Sequence, residues 1–161
     1  MKKHLKNFQR WTLRLMQDHV EKVFRVYPPY VGAGIRVREI SADFRKIRVE
    51  MPLTPLNANY VGTHFGGSLY SMCDPFYMLM LIENLGPDYI VWDKAATIRF
   101  RRPGKGLVTA EFRLTEEQIE AVRTAADRDE KVEPCFQVEI RDKKGELIAE
   151  VEKTLYVRRK K

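Results

Sequence analysis

Asp74 is the one carboxylate in a run, residues 66–82, that is otherwise apolar or uncharged. A lone charge in such surroundings costs several kcal/mol unless something compensates it, so its presence calls for a reason. Just upstream, Asn59, Thr63 and His64 bring amide, hydroxyl and imidazole groups into a glycine-rich stretch that ends on Gly66-Gly67. Together these are the groups of an active site, with Asp74 as base or nucleophile. The backbone N–H of Gly67, at the positive end of a helix, is the expected donor to a developing oxyanion. The local alternative is that Asp74 caps a helix beginning at Pro75, because Asp at the cap with Pro next is a favoured start.

Neighbouring residues carry their own alternatives. Asn59 either orients the water or the acid, or serves as a turn residue in Asn57-Ala58-Asn59. His64 is either a catalytic imidazole or a hydrogen-bonded loop residue. Cys73 adjoins Asp74, but adjacent residues on a helix point about 100° apart, so it reads as a small buried hydrophobe.

The elements that must position these groups are legible from periodicity. Leu5, Phe8, Met16, Val20 and Val23 share one side of a helical wheel. This predicts an amphipathic helix over residues 1–27, ended by Pro28-Pro29. A domain over 28–161 follows. Period-two alternation at Ile35–Val37 and Ile47–Met51 reads as a hairpin, and four further strands follow around 96–100, 108–114, 136–140 and 147–151. The apolar run 67–85, stopped by Gly86-Pro87, reads as a helix buried on all sides. Thr115 to Gln118 is a capping-box signature that predicts a short helix between the fourth and fifth strands.

Composition narrows the classes further. The 161 residues are 44% hydrophobic and 32% charged, as in a folded single domain. No uninterrupted apolar stretch is long enough to suggest a membrane span. The formal charge of +7 sits mostly at the two ends, +5 over residues 1–27 and +4 over 158–161, leaving a body of about −2. That distribution argues against a nucleic-acid groove. Cys73 and Cys135 have no ligand-like spacing, so neither a disulfide framework nor a metal site is expected. A cytoplasmic chain with reduced thiols fits this composition.

Asn59-x-x-Gly62-x-x-x-Gly66-Gly67, with Asp74 seven residues after the second glycine, resembles the signature of phenylacetyl-CoA-type hotdog thioesterases. In that signature the histidine directly precedes Gly-Gly, whereas here Phe65 holds the position and His64 stands one earlier. Gly62 to Met72, Asp74-Pro-Phe-Tyr and Val91-Trp-Asp-Lys are also similar to the YiiD C-terminal-domain-like branch of the same superfamily, over roughly residues 28–158. The resemblance implies an α+β hotdog fold, a long buried central helix wrapped by a six-stranded antiparallel sheet, with the N-terminal helix as an addition. It implies an acyl-CoA thioesterase in which Asp74, Asn59, Gly67 and His64 are catalytic. Gly66, Thr63, Phe65, Tyr70, Tyr77, Arg101 and Arg102 are then expected to bind the substrate, the two arginines near coenzyme A phosphates. No cofactor is expected beyond the coenzyme A of the substrate itself. The chain is expected to act as a homodimer or dimer of dimers, the acid of one subunit facing the helix start of the other. The alternatives are a non-catalytic acyl-CoA binding or sensing protein, and a hotdog hydratase or dehydratase.

Overall fold

The computed structural model describes residue 20 and residues 22–161. Most of the helix expected over 1–27 lies outside the described residues; residues 20 and 22–26 are helical. Pro28-Pro29 starts a helix as well as ending one. Tyr27 is extended, and α1 (Pro28–Ala33) begins on Pro28, where a missing N–H is no loss and φ is already helical.

Six strands are present: β1 (Arg36–Ile40), β2 (Lys46–Pro52), β3 (Tyr89–Phe100), β4 (Leu107–Arg113), β5 (Cys135–Asp142) and β6 (Leu147–Arg159), and all but β3 alternate in burial as expected. They form one antiparallel sheet in the order β1-β2-β4-β5-β6-β3. Inward residues such as Val49, Ala110, Phe112, Val138, Ile140 and Val151 are buried, while their neighbours face water. The two free edges differ. β1 has five residues, whereas β3 has twelve and leaves 92–97 exposed.

The central helical segment crosses the concave face in two pieces, α2 (Gly66–Ser71) and α3 (Phe76–Leu85). Pro75 is the reason for the break, because it cannot donate to the Ser71 carbonyl and its ring crowds that oxygen. Tyr30 Oη donates to this carbonyl instead, at 3.1 Å. α3 buries Phe76, Tyr77, Met80, Leu81 and Leu85, with Phe76 tilted 4.9 Å from the Phe112 ring centroid. Its other flank is not covered as the apolar run implied. Met78 and Leu79 are half-buried, and Ile82 is exposed.

α4 (Glu116–Arg128) starts on the capping box read from the sequence, Thr115 accepting from Gln118 N–H and Gln118 accepting from Thr115 N–H. From it Arg123 donates to the carbonyls of Asn84 and Leu85, closing the C-terminus of α3. Among the described residues no helix is long and apolar enough to cross a membrane.

Candidate active site

Asp74 sits in the break between α2 and α3 and does not cap α3 with its side chain. Its Oδ1 accepts from Tyr70 Oη at 2.7 Å and from Lys153 Nζ at 2.9 Å. Oδ2 takes no hydrogen bond among the described residues, and the side chain keeps 46% of its exposure. The carboxylate opens on a cavity of about 370 Å³ walled by Val23, Phe24, Tyr27, Tyr30 and Tyr70.

Lys153, the partner of Asp74, is 1% exposed and was not among the expected site residues. Its ammonium also meets Asp93 Oδ1 at 2.9 Å and Tyr70 Oη at 3.3 Å, which occupies all three donor positions. Burial works against the charge on Lys153, but the hydrogen bonds to Asp74 and Asp93 outweigh it and hold the ammonium well above the usual lysine range. Burial and the bond to Asp74 likewise raise the Tyr70 phenol. Beside them burial pushes the Cys73 thiol up, so it is no nucleophile at neutral pH.

Asp93 reaches this cluster through an irregularity in β3. Asp93 pairs with Leu155 and Ala95 with Thr154, so Lys94 is the extra residue of a β-bulge. Below the bulge Ala96 and Ile98 stand opposite Lys153 and Val151; above it Val91 and Asp93 stand opposite Val157 and Leu155. The bulge therefore moves the odd-numbered residues onto the inward face and aims Asp93, not Lys94, at Lys153.

The loop before α2 is organised differently. Asn59 Oδ1 accepts from the N–H of Val61 and of Thr63, and its Nδ2 donates to Thr63 Oγ1 at 2.9 Å and to the His64 carbonyl. Its amide is thus spent on its own turn. His64 is 3% exposed; Nε2–H donates to the Gly106 carbonyl at 2.9 Å, while Nδ1 is buried with no partner among the described residues. Burial depresses its pKa against the opposing pull of that carbonyl, so the ring is neutral at pH 7. Asn57, buried and not singled out in the sequence, pins the loop by accepting from Thr54 N–H and donating to the carbonyls of Ala33 and Pro52.

Asn59, Thr63, His64, Gly66, Phe100, Arg101 and Arg102 share a second cavity of about 390 Å³. Arg101 pairs with Glu150 and Arg102 with Glu146. The Phe65 ring lies over Gly67 and the Phe100 ring over Gly66, so a Cβ at either glycine would collide with an aromatic ring. The N–H groups of Gly66 and Gly67, in the first turn of α2, have no acceptor among the described residues. Tyr77, expected against substrate, is instead in the core: it donates to the Gln137 carbonyl at 2.6 Å and stacks on Phe136. An aromatic residue in an apolar run satisfies either role, and only the packing of β4 and β5 separates them.

The expected site residues thus fall into two groups. Tyr70 and Asp74 lie together; Asn59, Thr63, His64, Gly66, Arg101 and Arg102 line a different cavity. Gly66 opens α2 and Asp74 lies beyond its end at Ser71, in the break; the six-residue helix, about 9 Å long at helical rise, stands between them. Among the described residues no group of three or more His, Cys, Asp or Glu side chains is placed to hold a metal ion.

Comparison with known proteins places this arrangement. The family described as a domain of unknown function (DUF4442) matches residues 17–157. No curated protein matches the chain. Among solved structures, a Pseudomonas aeruginosa protein of unknown function, described as a probable thioesterase, is similar at a TM-score of 0.79 and 24% identity, over 89% of this chain and 96% of that one. A Chlorobaculum tepidum protein of unknown function is similar at a TM-score of 0.69 and 15% identity, covering 89% of this chain and 96% of its own. A Haemophilus influenzae thioesterase is similar at 0.58 and 19% identity, over 81% and 82%. The shared architecture is the hotdog-like one, six antiparallel strands around a long central helical segment.

Proposed function

We propose that this chain, which belongs to the DUF4442 family, is a thioester hydrolase acting on acyl-CoA. The observation that carries the reading is the Asp74 carboxylate, held through Oδ1, with no partner for Oδ2 among the described residues, and lining an aromatic-walled cavity beside the break in the central helix. In the reaction, Asp74 Oδ2 takes a proton from water as the water oxygen bonds to the acyl carbon. The carbonyl oxygen becomes negative and is met by a backbone N–H at Gly66-Gly67. The C–S bond then breaks, and the thiolate leaves with the proton held by Asp74. His64, with Nε2 committed to Gly106, takes no part in this proton path, which disfavours a hydratase or dehydratase.

Because the two halves of the site stand at opposite ends of α2 in one chain, the working site pairs Asp74 with Gly67 of the partner subunit. Two features support a homodimer. The free edge of β3 is twelve residues long, with exposed Trp92 and Phe100 and small residues Ala95 and Ala96 between them, and such a row of unpaired N–H and C=O groups is a template for pairing with another chain. The uncovered flank of α3, with Ile82 exposed, lies on the element packed against β3.

Free-thiol release from an acyl-CoA panel tests the reading. Wild type is expected to turn over at least one member, and Asp74→Asn to lose that turnover. Equal rates would remove Asp74 from the chemistry. Tight acyl-CoA binding without product over hours would make the chain a binding protein.

A further inference from the structure

We infer that Lys153 positions the Asp74 carboxylate and that Asp93, by sharing the same ammonium, leaves one negative charge more than Lys153 neutralises, so that Asp74 can take a proton without stranding the cation. This rests on Asp74 being the base and extends it to two residues outside the recognisable Asn59–Asp74 pattern. A buried lysine facing a single carboxylate would form a neutral pair, and such a carboxylate is a poor base because protonating it strands the cation. Here one ammonium faces two carboxylates at equal distances of 2.9 Å. The cluster therefore carries one negative charge in excess, and one proton can be taken up while Lys153 keeps a counter-ion. The bulge at Lys94 exists at the point where it turns Asp93 toward Lys153, and Tyr70 Oη completes the hold on Oδ1. Oδ2 is thereby left without a partner among the described residues, on a side chain that lines the cavity.

The titratable groups facing Asp74 are Tyr70 from α2, adjacent Cys73, Tyr30 from α1 and Lys153 from β6; Asp93 from β3 acts on it through Lys153. Tyr30, Tyr70 and Cys73 are all shifted upward and stay neutral near pH 7. Lys153 and Asp93 are thus the charged partners whose removal tests the inference, with effects of opposite sign.

The test is the midpoint of Asp74, followed by carboxyl-carbon NMR on the full chain, in wild type, Asp93→Asn and Lys153→Met. Removing a negative charge should lower the midpoint and removing the cation should raise it, each by about one unit for charges at this range. The acid limb of the pH profile of kcat for acyl-CoA hydrolysis should move in the same two directions, which a merely structural role would not produce. Unchanged midpoints, or shifts of the same sign, would overturn the inference. Should Lys153→Met fail to fold, Asp93→Asn decides alone. A wild type inactive on the whole panel would sink the hydrolase reading, while the NMR midpoints would still decide whether Lys153 and Asp93 tune Asp74.

Discussion

The loop before α2 and the break after it are both rich in polar side chains, but they satisfy those side chains in opposite ways. In the loop, Asn59 bonds to Val61, Thr63 and His64, all within five residues. At the break, Asp74 is bonded to Lys153, 79 residues away, and Lys153 in turn to Asp93 on another strand. A local network uses its hydrogen-bonding capacity to fix backbone shape. A long-range one, built on charges with one oxygen left over, keeps capacity in reserve for a ligand. A polar cluster in sequence can therefore be scaffold, and the chemistry can belong to the residue that reaches farthest.

Substitutions on the two sides should separate the two roles. The largest effect is expected from Asp74→Asn, a fall of about 10²–10⁴-fold in kcat for thiol release, with the circular dichroism spectrum retained. Lys153→Met should follow. It leaves two carboxylates facing each other without a cation, and the loss is about 3 kcal/mol, near the low end for a broken buried pair because both acids keep some water. A lower denaturation midpoint at constant m would register it. On the loop side, Asn57→Ala should cost about 2 kcal/mol, because two carbonyls and one N–H lose their partner; the same denaturation measurement applies, and an unaffected stability would mean the loop is not held where Asn57 holds it. Tyr30→Phe should cost about 1 kcal/mol, since the Ser71 carbonyl loses the shorter of its two hydrogen bonds and keeps only the long one from Asp74 N–H.

The smallest effect is the pH dependence contributed by His64. Its folded pKa is depressed, whereas in the unfolded chain an imidazole titrates near 6.5. Above that value both states are neutral and the group contributes nothing. As pH falls below it the unfolded state binds the proton first, so stability is lost. His64→Gln should flatten the stability curve between pH 7 and 5 relative to wild type. A steeper curve in the variant would show that the loop imidazole is held charged, and the loop would then resemble the break after all.

Part of the second region was legible in the strand pattern. Leu147, Ala149 and Val151 alternate inward, and the same period continues through Lys153 to Leu155 and Val157. A lysine at a position reserved for a buried apolar side chain signals that a carboxylate must come to meet it. Asp74, an unpaired acid in an apolar run, was the complementary signal. Asp93 had no such mark, because its face depends on a one-residue bulge that alternation does not encode. Tyr77 was read toward the substrate because an apolar helix looks alike on every side until the sheet is wrapped around it.

What the sequence by itself determined was local: six strands, the capped α4, the glycine stop at Gly86, and an apolar helical run carrying one acid and one proline, whose break into two helices the structure added. These follow from backbone sterics, side-chain period and turn chemistry, all of which act within a few residues. Tertiary structure decided which polar groups are spent and which are free. Asn59 is consumed by its loop, His64 commits Nε2 to the Gly106 carbonyl, Tyr30 gives the Ser71 carbonyl the donor that Pro75 cannot supply, and Asp74 and Asp93 converge on Lys153. Those outcomes depend on distances between strands and helices far apart in the chain, and a charge in a protein interior is settled by whatever partner the fold brings within about 3 Å.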